Sequence, residues 1–169
     1  MTKSDGMMLP KSIADGARPA SDTERAAMMG IVERLDAALS EGDAEGLRNL
    51  FTQDAVCELK PTGMRIQSLD TIVEMFRRSC ANLSEPFRAR KQVRTWANQN
   101  GVLREWSYPI ELESRGMVPT RQLEIIEFDE ELGAIASYRL RMNLLYSRFF
   151  DRALGKDFAS LAGIHRIPR

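Results

Sequence analysis

Residues 31–59, IVERLDAALSEGDAEGLRNLFTQDAVCEL, place an amphipathic helix, a Gly-Asp turn, a short helix and a strand in immediate succession. That order leaves little freedom. Met28, Ile31, Val32, Leu35 and Leu39 recur at three- and four-residue spacing, so the first helix carries an apolar stripe that needs a surface to cover. Ser21 and Glu24 form a capping box, and the spacing predicts a helix over residues 22–40. Gly42 can take the left-handed conformation that ends it, and Asp43 can cap a second helix carrying Leu47, Leu50 and Phe51. A strand at 55–59 follows, closed by the turn Lys60, Pro61, Thr62, Gly63.

Ser68 caps a predicted third helix whose Leu69, Ile72, Val73, Phe76, Cys80 and Leu83 share one face, ending near Ser84 before Pro86. From Phe87 the pattern is an antiparallel meander. Taking Asn100-Gly101 as a two-residue turn sets Thr95, Val93 and Ala89 opposite Trp106, Tyr108 and Leu112 on an apolar face. The reverse face then pairs Arg90 with Glu111 and Arg88 with Glu113. Two more strands are predicted at 119–128 and 134–143, then a short helix at 144–154. The order implies an α+β domain over residues 21–154, with three N-terminal helices on one face of a curved, mostly antiparallel sheet and a short C-terminal helix. Residues 1–20 read as a flexible arm and 155–169 as an irregular tail.

Of the 169 residues, twenty-four Lys and Arg balance twenty-four Asp and Glu, so no net field draws the chain to nucleic acid or an anionic membrane. Cys57 and Cys80 have no CxxC spacing and read as free thiols, and no apolar run reaches spanning length. A cytoplasmic protein in a reducing compartment is the expectation. His165 is the only histidine, so Cys57 lacks a base beside it and no metal site of His and Cys is implied. No cofactor is called for.

The run AALSEGDAEGLRNLFTQDAVCEL resembles the opening of the nuclear-transport-factor-2-like superfamily, which includes ketosteroid isomerases and SnoaL-like polyketide cyclases. The resemblance extends over residues 25–143. It implies a sheet wrapped into a cone whose mouth the helices close over an apolar pocket, and a homodimer through the outer sheet face. The isomerase scheme needs a carboxylate base, a tyrosine and a protonated acid around an enolate. Laid over this chain, it puts Leu35 at the tyrosine, Leu59 at the base and Glu124 near the second acid, so two of its parts are missing. The single histidine also removes dehydratase schemes built on a histidine pair.

Glu124 stands between Leu123 and Ile125 on a strand expected to be central. Alternation puts it inside with Ile126 and Phe128, where desolvation would raise its pKa and suit it to acid or base work. The opposite register would make it an outer charge paired with Arg139. Tyr108, inward by the hairpin register, and Tyr138, inward by the family overlay, would orient ligand oxygens. Arg139 and Arg141 alternate onto the outer face. The implied pocket wall comprises Leu35, Cys57, Leu59, Phe76, Trp106, Ile110 and Ile126, with Arg65 at the mouth as the resemblance suggests. The expectation is a cofactor-free pocket for an aromatic or polycyclic molecule, catalysing an isomerase, cyclase, lyase or dehydratase step through Glu124, Tyr108 and Tyr138. The alternative is a non-catalytic binding module or a small subunit of a larger enzyme.

Overall fold

The computed structural model describes residues 17–82, 89–112, 116–142 and 147–168. Helix α1 spans Asp22–Glu41 and begins as the sequence dictates: the Ser21 hydroxyl accepts from the Glu24 amide while the Glu24 carboxylate accepts from the Ser21 amide. Gly42, at φ 69°, ends it, its amide donating to the Ala38 carbonyl. Asp43 caps α2, Ala44–Arg48. Phe51, expected on that helix, instead opens strand β1, Phe51–Leu59, because it pairs with Ile135 across the sheet. After a single 3-10 turn come β2, Met64–Ile66, and α3, Leu69–Asn82, whose Ser68 cap accepts from the Thr71 amide at 3.4 Å.

The meander follows as β3, Lys91–Asn98, β4, Gly101–Leu112, β5, Gly116–Phe128, and β6, Ile135–Met142. Helix α4, Ser147–Leu154, and strand β7, Ile164–Arg166, complete the described chain. The tail is therefore not irregular. Its apolar period is too short to read, but β7 pairs with β2 and Phe158 is buried, so tertiary contact supplies what local pattern lacks. His165 sits on this edge strand opposite Arg65 and is exposed. Of the arm, residues 1–16 lie outside the described residues; Pro19 bridges to Asn98.

The seven strands form one curved sheet in the order β3-β4-β5-β6-β1-β2-β7, antiparallel except where β1 lies parallel to β6. Four helices accompany it among the described residues. One core joins Met28, Leu35 and Leu39 of α1, Ile72 and Phe76 of α3, and Phe150 of α4 to Cys57, Ile126, Tyr138 and Leu140 of the sheet. These residues define the inner face of the sheet.

The β3-β4 hairpin departs from the predicted register in two ways. Asn98 pairs with Gly101, so Gln99 and Asn100 form the turn, and Thr95 faces Arg104 rather than Trp106. Gly101 is needed for a different reason: a side chain there would run into the Ile126 carbonyl of β5. The slip is by two positions, so Trp106 keeps its inner orientation. Further along, Arg94 pairs with Glu105 and Gln92 with Trp106, leaving Val93 as the extra residue of a bulge. That reverses the expected facing of everything before it. Arg90, expected opposite Glu111 on the reverse face, reaches Glu124 on the inner one.

Candidate functional site

Alternation along β4 and β5 delivers charges to the inner face. Val102, Arg104 and Trp106 point one way from β4, and Gln122, Glu124 and Ile126 point the same way from β5, with Arg104 directly opposite Glu124. Glu124 is 1% exposed and Arg104 not at all. The outward alternative for Glu124 is excluded, since Arg139 pairs with Glu127 on the other face at 2.7 Å.

Five groups converge on the Glu124 carboxylate. Oε2 accepts from the Trp106 indole at 2.8 Å and lies 2.7 Å from an Arg104 terminal nitrogen, a charge contact whose angle is too bent for a directed hydrogen bond. Oε1 accepts from the Tyr138 hydroxyl at 2.9 Å, Gln122 Nε2 at 3.1 Å and Arg90 at 3.4 Å. Both arginines continue to Asp36 on α1, Arg104 at 2.6 Å and Arg90 at 3.1 Å. The result is a closed ring of two acids and two bases with no net charge. Their guanidinium carbons lie 4.8 Å and 4.0 Å from the Trp106 ring centroid, so the same indole that bonds the carboxylate also covers its counter-ions. Asp36, with a third of its side chain exposed, is the end of the ring that meets solvent.

This ring reverses one expectation. Burial by itself pushes Glu124 up, but the positive charges of Arg104 and Arg90, together with the hydrogen bonds from Trp106 and Tyr138, hold its carboxyl below the ordinary value. Glu124 is a fixed anion. Tyr138 moves the other way, well above the usual phenol range, through burial and the adjacent Glu124 charge.

Beside the ring lies a cavity of about 20 Å³, room for roughly one water. Leu39, Leu59, Met75, Phe76, Leu140 and Phe150 form its apolar wall, and Ser79, Gln122, Glu124 and Tyr138 its polar one. Among the residues expected at a site, Glu124, Tyr138, Leu59 and Phe76 therefore meet there. Trp106 takes part through Glu124 rather than by lining the space. Leu35, Cys57 and Ile126 are fully buried core residues outside this lining, and Cys57 Sγ packs 3.7 Å from Met75 Sδ. Arg65 lies 3.9 Å from Glu58 on the β1-β2 ribbon, away from the cavity. The side chains of Tyr108 and Ile110 lie outside the described residues.

Asp36, Arg90, Arg104 and Gln122 were not anticipated. Arg104 and Gln122 had a signal, since each stands two residues from an inner-face position on its own strand. Asp36 and Arg90 had none, one being next to Leu35 on a helix and the other displaced by the bulge. Among the described residues no group of three His, Cys, Asp or Glu is arranged to hold a metal ion. No described helix is long and apolar enough to cross a membrane.

Burial pushes the Cys57 thiol far above its usual range. We expect Ellman's reagent to leave Cys57 unlabelled in the folded protein and to label it on unfolding. Fast native labelling at this position, read by peptide mass spectrometry, would contradict the packing.

Comparison with known families matches residues 32–138 to the SnoaL-like domain. No curated protein sequence matches the chain. Among solved structures, a steroid delta-isomerase from Pseudomonas aeruginosa is 15% identical with TM-score 0.62, over 85% of this chain and 97% of that one. A cystatin-like-fold protein from Silicibacter pomeroyi is 13% identical with TM-score 0.60, over 76% and 84%. An LEH-like epoxide hydrolase of M. tuberculosis is 22% identical with TM-score 0.52, over 78% and 90%. At these identities the likeness is one of fold.

Proposed function

The chain belongs to the SnoaL-like domain family, and from that premise we propose that it binds an apolar small molecule between helices and sheet, with Glu124 as a fixed charge at the polar end of the pocket. The observation that carries this reading is the cavity itself, with six apolar side chains facing a polar wall in which Gln122 and Tyr138 both donate to Glu124. On this reading the helices close the concave side of a cone, and a ligand larger than a water enters by displacing side chains such as Phe150 and Phe76. A second copy would dock on the outer sheet face, which carries Trp96 at 43% and Met117 at 62% exposure; sedimentation of a monomer at high concentration would remove that part.

Benzene tests the pocket. We expect millimolar benzene to shift the methyl resonances of Leu39, Leu59 and Leu140. Phe150→Ala should tighten its binding by at least about tenfold, as enlarged apolar cavities do, at a cost of about 3–5 kcal/mol in stability. If neither protein shows shifts confined to these methyls, the pocket reading falls.

A second reading retains chemistry. Glu124 and Tyr138 face the cavity 2.9 Å apart, and the solved relatives include proteins described as a steroid isomerase and an epoxide hydrolase. A cofactor-free isomerase, cyclase or lyase would use these two groups, but a carboxylate with five partners is a weak base. Full turnover of an identified substrate by Glu124→Gln would remove Glu124 from any such mechanism.

A further inference from the structure

The polar end of the cavity holds a buried acceptor that no donor meets, and the hydrogen bonds around Glu124 show why. Gln122 Nε2 donates to Glu124, which fixes the amide orientation, because the reverse assignment would set the amide oxygen against a carboxylate oxygen. Gln122 Oε1 is then left buried with no hydrogen-bond partner, in a residue 1% exposed that lines the cavity. The Tyr138 hydroxyl proton is likewise spent on Glu124, and its oxygen retains lone pairs. The Trp106 N–H is taken by Glu124 as well. Arg104 Nε is a buried donor without a partner, but Arg104 does not line the cavity. Ser79, across the space on α3, can act in either sense.

We infer that the pocket is selective for a neutral hydrogen-bond donor, an alcohol or phenol hydroxyl that inserts at the sheet end and donates to Gln122 Oε1. This rests on the pocket reading above and names the class of ligand it takes. Neutrality follows from the ring of Asp36, Arg90, Arg104 and Glu124, whose charges sum to zero and leave no charge for a ligand to balance. A carbonyl or carboxylate oxygen directed at Gln122 Oε1 would meet an acceptor. It would leave Gln122 Oε1 unpaired and add a second desolvated acceptor beside it.

Phenol, toluene and benzaldehyde separate these cases, since they share a ring and differ in whether the substituent donates, does neither or accepts. Each is titrated against the wild type, Phe150→Ala, and Gln122→Met in both backgrounds, by methyl NMR. In Gln122→Met the phenol-to-toluene affinity ratio should fall about tenfold, the equivalent of one hydrogen bond to a buried acceptor, with toluene affinity unchanged. The benzaldehyde-to-toluene ratio should not fall. If toluene and benzene bind but the phenol ratio is the same with and without the Gln122 amide, the donor inference is overturned and the pocket stands. An equal fall for benzaldehyde overturns it too. If no probe binds any of the four proteins, the pocket reading is lost and this inference with it.

Discussion

Arg104→Met should lower the unfolding free energy by about 3–5 kcal/mol, because it removes one arginine from a buried ring and leaves Glu124 and Asp36 to share Arg90 alone. Arg104 is fully buried between Asp36 and Glu124, and methionine fills most of its stem volume without supplying charge. For a domain of this size that is about 10 °C or more in melting temperature. The control is Arg104→Met with Glu124→Leu, which takes one charge of each sign and leaves Asp36 with Arg90, still 3.1 Å apart. We expect the pair to cost clearly less than the sum of the single changes, with a coupling of at least about 1 kcal/mol by urea denaturation. A loss under about 1 kcal/mol for Arg104→Met alone would mean that water reaches the ring.

Glu124→Gln should destabilise the protein at pH 7 by an amount that shrinks as the solution is acidified. The Glu124 carboxyl lies below its ordinary 4.5 in the folded state, despite burial, because of Arg104 and Arg90. A carboxyl with a depressed folded pKa contributes stability that is complete above the unfolded value, and that contribution is lost as pH falls through the folded value. The wild type should therefore hold its advantage over Glu124→Gln from pH 7 down to about 4.5 and lose it below. Glu24 and Glu74, both drawn down to about 2 by arginine partners, and Asp157, also lowered by Arg78, destabilise wild type and variant alike in acid. Only the difference between the two proteins isolates Glu124. A difference that stayed constant from pH 7 to pH 3 would mean that the fold does not shift the Glu124 carboxyl, and one that grew on acidification would mean that the fold holds it protonated.

What the sequence made legible divides along physical lines. The helix starts were readable because Ser21, Asp43 and Ser68 satisfy backbone amides locally, and such bonds do not depend on the rest of the fold. The inner facing of Glu124 was readable from strand alternation, and so was that of Arg104, since a period of two carries over any slip by an even number. The sign of the Glu124 shift was not, because it depends on Arg90 and Arg104 arriving from another strand and on Asp36 arriving from a helix. Alternation gives facing; it does not give which charges end within 3 Å. Strand β7 was hidden for the same reason, as Ile164, His165 and Arg166 have no pattern of their own and are ordered by β2.

The bulge at Val93 bears on how this chain can change in length. Strand β3 is one residue longer than the stretch of β4 it pairs with, since Gln92 and Arg94 take the adjacent partners Trp106 and Glu105. Losing Val93 would make the pairing regular and leave Gln92 opposite Trp106 and Arg90 still turned toward Asp36. Gaining a residue there while keeping the bulge would turn Arg90 outward and strand two acids on a single arginine. In the currency of insertions and deletions, β3 can be shortened by one residue without rewiring its charges, and can be lengthened by one only if the bulge is lost with it.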